Sequence, residues 1–298
     1  MVNEFEAFAC DIAREAGTLL LKHQRAGVEV TTKSNEIDLV TTADKESEAL
    51  LIDRIGTRYP EHAILAEEDG ELGAQDAPLR WVLDPLDGTV NFAHGQPHFC
   101  VLVSLEERRS DGWTSVACAT FDPHRDEMFS ASRGKGARLN GQLLRVSRTE
   151  RLRDACGATG FPYGRLLGAV DNHREFCAFS ALTRGLRRNG AAGLDLAWLA
   201  AGRFDFYWEY DLSRWDESGG ILLVSEAGGQ VSPFNDGHQP GVHRILASNG
   251  ILHGEARRCL ETCHRYPVND RAAIESFLPP DLAEELHEMR TSKSSPVD

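Results

Sequence analysis

The chain has 298 residues, 41% apolar and 26% charged, the make-up of a globular protein with enough length for one large domain or two. A formal net charge of −14 gives no general electrostatic help toward nucleic acid or an anionic membrane, so neither is an expected partner. No stretch approaches 18 consecutive apolar residues, so no membrane span is expected.

Phe5, Phe8, Ala9, Ile12, Ala16, Leu19 and Leu20 recur at helical spacing and predict an amphipathic first helix ending near Gly27. Glu4, Glu6 and Asp11 among them do not suit a signal peptide. Val28 to Thr32 and Leu39 to Thr41 read as extended pieces. A second helix is expected from Thr42–Asp44 to Tyr59, with Leu51, Ile52 and Ile55 inward and Pro60 closing it. Ala63 to Ala66 reads as a strand running into Glu67-Glu68-Asp69-Gly70, and Leu72 to Leu79 as a polar loop. Trp81 to Leu83, Phe99 to Leu105, Thr114 to Phe121 and Glu127 to Ala131 follow as strands. Asn140-Gly141 marks a hairpin. Residues 1–147 thus predict an α+β part, one large antiparallel sheet flanked by two helices.

From 148 to 263 the pattern alternates, which argues for an α/β part. Strands are expected at 155–159, 184–188, 204–209 and 245–247, and helices at 171–182, 193–201 and 216–227. Residues 264–298 form a tail, with a short helix at 281–289 and disorder from 291 onward. The seven cysteines, an odd number with no paired framework, suit a reducing cytoplasm. Cys259 and Cys263 with His264 fit no usual zinc spacing and read as one helix face.

The chemistry concentrates in Trp81-Val82-Leu83-Asp84-Pro85-Leu86-Asp87-Gly88-Thr89-Val90-Asn91-Phe92. Pro85 cannot join a central ladder, so the strand is expected to stop at Asp84, with Asp84 and Asp87 on a tight turn pointing the same way. Two carboxylates about 4 Å apart repel by roughly 4 kcal/mol at an effective dielectric near 20. A shared proton, a basic residue or a bound cation relieves such repulsion. No base lies between Arg80 and Phe92, which favours a hard divalent cation. Gly88 allows a sharp turn, and a short helix opening at Asp87-Gly88-Thr89 offers N–H groups to an anion. Cations beside an anion cradle suggest phosphate chemistry.

Asp84-Pro85-Leu86-Asp87-Gly88-Thr89-Val90-Asn91-Phe92 resembles the signature of the inositol monophosphatase family, Mg²⁺-dependent and lithium-sensitive sugar phosphate phosphatases. Trp215-Asp216 followed by Leu223-Val224-Ser225-Glu226-Ala227-Gly228-Gly229 resembles its second signature. The resemblance implies a layered sandwich of alternating α-β-α-β-α layers and a homodimer. It also implies two to three Mg²⁺ ions. Glu67, Asp84 and the Leu86 carbonyl would hold the first, and Asp84, Asp87 and Asp216 the second. Glu67 would share in a third. Thr89 matches the threonine that orients the attacking water, with Asp44 as its partner carboxylate, and Lys33 matches a lysine near the phosphate. Gly88, Thr89, Ala192 and Glu209 match substrate contacts, Glu209 being the carboxylate that binds polyol hydroxyls. Ala191 stands where the family often has Ser or Thr. Arg187 and Arg188, close by, are candidates for a second anionic group or a dimer contact.

The implied activity is hydrolysis of inositol 1-phosphate or a related sugar or polyol phosphate. Fructose 1,6-bisphosphate is the alternative substrate, since related enzymes share the cluster. An expectation of another class is a regulatory protein that keeps the fold but works through a partner such as the transcription machinery.

Overall fold

The computed structural model describes residues 4–27, 30–32, 39–74, 76–163, 172–234 and 243–263. Lys33 and the whole of the tail at 264–298, with its expected helix, lie outside them. The chain opens with α1 (Glu4–Ala26), the hairpin β1 (Val30–Thr32) and β2 (Leu39–Thr41), and α2 (Thr42–Arg58). Then come β3 (Ala63–Ala66), β4 (Gly70–Leu72), β5 (Leu79–Asp87) and the one-turn helix α3 (Thr89–Ala93). β6 (Cys100–Arg109), β7 (Gly112–Asp122), β8 (Glu127–Ser132), β9 (Ala137–Leu139) and β10 (Gln142–Leu143) complete the first sheet, in the order β10-β9-β8-β7-β6-β5-β3-β4. The sheet is mixed rather than wholly antiparallel, because β3 joins β5 in parallel after the polar loop. Part of that loop's approach, Gly70–Leu72, pairs with β3 as an edge strand.

The second half holds β11 (Cys156–Thr159), α4 (His173–Leu182), β12 (Gly185–Arg187), α5 (Ala192–Ala200), β13 (Phe206–Tyr210), α6 (Arg214–Glu226), β14 (Gln230–Pro233), β15 (Arg244–Ser248) and α7 (His253–Cys263). Its five strands run β12-β11-β13-β15-β14. β14 has no counterpart among the sequence expectations; with Gly228-Gly229 before it and Pro233 in it, it carries a weak strand signal.

Three apolar clusters define the layers. α1 and α2 pack on one face of the large sheet through Ile12, Leu20, Leu51 and Ile55 against Trp81, Leu83 and Val101. α5 and α6 fill the space between the two sheets, with Leu194, Leu196 and Leu223 against Leu102, Cys118, Tyr207 and Ala247. α4 and α7 cover the outer face of the second sheet, where Phe179 and Leu260 meet Phe206, Trp208 and Leu246. The order is therefore α-β-α-β-α, as the resemblance implied. Cys263 lies buried on the inner face of α7, consistent with the helix-face expectation. No helix among the described residues is long and apolar enough to cross a membrane.

α6 occupies the middle layer because it is slim on two sides. A Cβ on Gly220 would lie 2.4 Å from Leu196 Cδ1 of α5, and one on Gly219 would lie 3.3 Å from Cys118 Cβ of β7. Its first turn is tied to the large sheet by Glu106, which is fully buried. Glu106 accepts from Arg80 Nε (2.8 Å), Arg214 Nε (2.7 Å) and Ser218 Oγ (2.8 Å). Replacing Glu106 by Ala should cost about 3 kcal/mol, because it strands two partly buried guanidiniums. Urea unfolding would measure this; a change under about 0.5 kcal/mol would show that the network carries no weight.

Candidate active site

β5 does not stop at Asp84 as expected. It runs on to Asp87, and its pairing with β6 shows how Pro85 is accommodated. Asp84 faces Leu102 and Asp87 faces Cys100, so three residues of β5 span two of β6. This is a β-bulge with one extra residue. In a regular strand, residues three apart point to opposite faces. The bulge resets that alternation and places both carboxylates on the side of Leu102 and Cys100, facing the α5/α6 layer. Ser47 on α2 holds the bulge by donating to the Pro85 carbonyl at 3.0 Å.

Gly88 follows with φ +93, in the left-handed region, and caps α3. A Cβ there would lie 3.0 Å from His98 O and 3.2 Å from Ala191 Cβ, so only glycine suits both the angle and the space. Thr89 Oγ1, on the first residue of α3, lies 3.2 Å from Asp44 Oδ1 and 3.1 Å from the Leu86 carbonyl. Asp44 is fully buried at the start of α2, and its Oδ2 accepts the Thr41 backbone N–H at 2.8 Å in a reciprocal capping box. Its capping and its contact with Thr89 use different oxygens, so the two roles coexist.

Glu67, Asp84, Leu86, Asp87, Gly88, Thr89, Ala192, Glu209 and Asp216, all expected at the site, line one cavity of about 320 Å³. Asp44 touches it through Thr89. Among the described residues no three Asp, Glu, His or Cys side chains close into a ready cage for an ion. Backbone donors hold three of the carboxylates. Leu86 N–H donates to Asp84 Oδ1 (3.0 Å) and Ser213 N–H to Asp216 Oδ2 (2.7 Å). Asp87 caps α5, taking Ala192 N–H at 3.1 Å, Gly193 N–H at 2.8 Å and Leu194 N–H at 3.3 Å.

The carboxylates strain against one another. Burial pushes Asp84 well above the ordinary carboxylate range, and the charges of Glu67, Asp87 and Asp216 push it further. Asp216 is raised by burial and then by Glu67 and Asp87. Burial pushes Asp87 up to about 6, although bonds from Cys100 and Leu194 oppose the rise. A buried, all-oxygen group in which Asp84 and Asp216 are each raised by neighbouring carboxylates, with no basic side chain among the leading influences on either, fits a hard divalent cation, which would relieve that repulsion.

Across the cavity, β13 alternates: Phe206, Trp208 and Tyr210 face the outer helices, and Tyr207 and Glu209 face the site. Tyr207 donates its hydroxyl to Glu209. Gly160 makes room, since a Cβ there would lie 1.9 Å from Glu209 Oε1. Burial pushes Glu209 up to about 7, against the opposing Tyr207 bond and Arg188 charge. A raised carboxyl stabilises the fold fully below its ordinary value and loses that contribution as pH rises through its folded value. Metal-free wild type should therefore lose stability from near pH 4.5 to pH 7, and Glu209→Gln should reduce the loss, by at most about 3 kcal/mol. Thermal melts in EDTA at pH 5 and pH 8 measure it; an identical drop in both proteins would contradict it.

Three positioning residues were missed in the sequence. Glu48, four residues after Asp44 and so on the same helix face, accepts Glu68 N–H at 3.0 Å and Asp69 N–H at 2.8 Å and so holds the Glu67 turn. Ser47 holds the bulge. Asn91 donates to His98 O at 2.7 Å and Asn189 O at 2.8 Å, joining the motif to the loop before α5. For Glu48 a signal existed: Asp44, Ser47 and Glu48 occupy the face of α2 that also carries Leu51 and Ile55.

A layered α-β-α-β-α fold with a carboxylate cavity at the end of β5 defines a class of protein, and comparison with known chains gives its family. The model of the inositol monophosphatase family matches residues 1–266. The chain is 42% identical over 233 residues to an inositol-1-monophosphatase of Synechocystis, covering 78% of this chain and 80% of that one. It is 44% identical over 256 residues to Nus factor SuhB of Escherichia coli K12, covering 82% and 89%. The crystal structure of extragenic suppressor protein suhB from Bartonella henselae superposes with a TM-score of 0.78 at 34% identity, over 87% of this chain and 99% of that one. The chain belongs to the inositol monophosphatase family.

Proposed function

We propose that the protein is a Mg²⁺-dependent phosphomonoesterase acting on inositol 1-phosphate or a related sugar or polyol phosphate. The observation that carries this is the convergence of Glu67, Asp84, Asp87 and Asp216, from three separate segments, on one cavity beside the Thr89–Asp44 pair. Glu67, Asp84, the Leu86 carbonyl, Asp87 and Asp216 would hold Mg²⁺, which supplies Lewis-acid stabilisation of charge on the attacking and leaving oxygens. Thr89 has one hydroxyl proton and two lone pairs. Donating that proton toward Asp44 Oδ1 leaves its oxygen free to accept a hydrogen bond from a water molecule and fix its direction. Asp44 then receives the proton the water sheds, through the threonine hydroxyl, as a general base. Glu209 accepts hydroxyls of the polyol, and the α3 turn at Gly88-Thr89 faces the phosphate. The Synechocystis relative bears the name of this activity.

The test is phosphate release from inositol 1-phosphate with Mg²⁺. Wild type is expected to be active and Asp87→Asn to lose nearly all activity. A mutant as active as wild type would end the proposal. The name of the Escherichia coli relative supports a second role, binding a partner of the transcription machinery. A pulldown with purified transcription factors and the Asp87→Asn protein separates the two roles, since capture that survives loss of hydrolysis marks an independent one.

A further inference from the structure

Two of the cysteines lie within reach of each other at the end of the last described helix. Cys259 and Cys263 are four residues apart in α7, so both thiols fall on one face of it. Their sulfurs are 3.7 Å apart. Cys263 is buried, while Cys259 is half-buried and packs at the edge of the cluster of Phe179, Trp208 and Leu260.

The pair is asymmetric. Cys263 has one proton to donate, to the Cys259 carbonyl at 2.8 Å or to the Cys259 sulfur. The bond between the sulfurs pulls the Cys259 thiol below its ordinary value, although burial and the charges of Glu175 and Glu255 oppose the fall. The same bond, with burial, pushes Cys263 well up. The greater exposure of Cys259 points the same way. Elsewhere burial pushes Cys10, Cys100, Cys118 and Cys156 up. Cys259 is thus the readier thiolate, partly open to solvent, with a protonated thiol at contact distance. Such thiolates are the ones that peroxide oxidises, and an adjacent thiol resolves the product.

We propose that Cys259 and Cys263 form a peroxide-sensitive site, in which Cys259 is oxidised and Cys263 closes a disulfide onto it. The Cys259 thiolate attacks one oxygen of hydrogen peroxide; the O–O bond breaks, a sulfenic acid forms and hydroxide leaves. The Cys263 sulfur then attacks the sulfenic sulfur. The S–O bond breaks, and its oxygen leaves as water with the Cys263 proton. Two thiols have given up two electrons, and one peroxide has become two waters.

The new bond does not fit the helix as it stands. Residues four apart on a helix have Cβ atoms about 5–6 Å apart, whereas a disulfide holds them at about 3.5–4.5 Å. Closing it therefore opens the last turn of α7, whose Leu260 packs on the outer face of the second sheet. The site lies across that sheet from the carboxylate cavity, so it stands independently of the phosphatase function.

The test uses the full chain, reduced, freed of reductant and treated with hydrogen peroxide. Free thiols are then blocked, and tryptic peptides are weighed. Cleavage after Arg258 and Arg265 leaves both cysteines in one peptide, expected to lack its two thiol hydrogens and to take up no blocking group. Amide hydrogen exchange over 253–263 should speed up about tenfold or more on oxidation and return after dithiothreitol. Cys263→Ser should stop at a Cys259 sulfenic acid, which dimedone traps, and Cys259→Ser should leave Cys263 reduced at the same dose. Cys177 is the more exposed thiol and serves as the control. A wild type in which Cys177 oxidises while Cys259 and Cys263 stay free would overturn the proposal. So would a disulfide that leaves exchange in α7 unchanged. Both results are read on wild type, so they hold even if a serine substitution weakens folding.

Discussion

Asp84→Asn should lower the rate of phosphate release about 10³-fold and, in the absence of metal, make the protein more stable than wild type at pH 8. Both effects come from one charge. Asp84 is 2% exposed and lies where burial, Glu67, Asp87 and Asp216 all oppose its ionisation. Asparagine keeps an oxygen for the Leu86 N–H and removes the charge. The sign follows from linkage. A carboxyl raised on folding withdraws stability as pH climbs past its ordinary value toward its folded one, so at high pH the penalty is largest and the neutral variant escapes it. Mg²⁺ is expected to bind the folded wild type and raise its melting temperature; the variant should gain much less. Melts in EDTA and in Mg²⁺, beside a phosphate-release assay, read all three effects. A variant less stable than wild type in EDTA at pH 8 would mean that the carboxylates do not repel as their burial requires. Stability given up for a functional cluster is a common trade.

Thr89→Val carries the second large effect. The change keeps the volume and removes the hydroxyl that lies between Leu86 O and Asp44 Oδ1. Loss of the oriented water and of the proton's route to Asp44 should reduce kcat about 10²- to 10⁴-fold. The stabilisation by Mg²⁺ should stay near wild type, since Thr89 is none of the four carboxylates proposed to hold the metal, and KM should change little, since valine keeps the backbone N–H that faces the phosphate. Thr89→Ser should restore most of the rate. Single-substrate kinetics check this; if valine costs less than a few-fold in kcat, the threonine hydroxyl has no part in the reaction.

The sequence carried the chemistry of this site more readily than its geometry. Asp84, Asp87 and Thr89 share one short motif, and Glu67 stands just after an apolar strand, so type and spacing are visible locally. The bulge was not. Pro85 announces a break in the ladder, but whether the strand stops or steps over it depends on β6, which lies 13 residues beyond the last paired aspartate. The same limit hid Asn91, whose partners His98 and Asn189 are up to 98 residues away. Most helices and strands were legible because helical and alternating periodicities mark which faces are apolar; their stacking into layers was implied by the resemblance alone. The parallel pairing of β3 with β5 was not, since nothing in either strand encodes the direction of its neighbour. Asp87 was read as facing a cation, yet here it also caps α5, a contact between residues 105 to 107 positions apart.

The central claim is that buried carboxylates from β5, the end of β3 and the start of α6 are held together to bind divalent metal. Anomalous diffraction from crystals soaked in Mn²⁺ tests it most directly. The account predicts strong peaks bounded by Glu67, Asp84, Asp87 and Asp216. Manganese bound only elsewhere, with Asp84, Asp87 and Asp216 still held by backbone N–H groups, would contradict it.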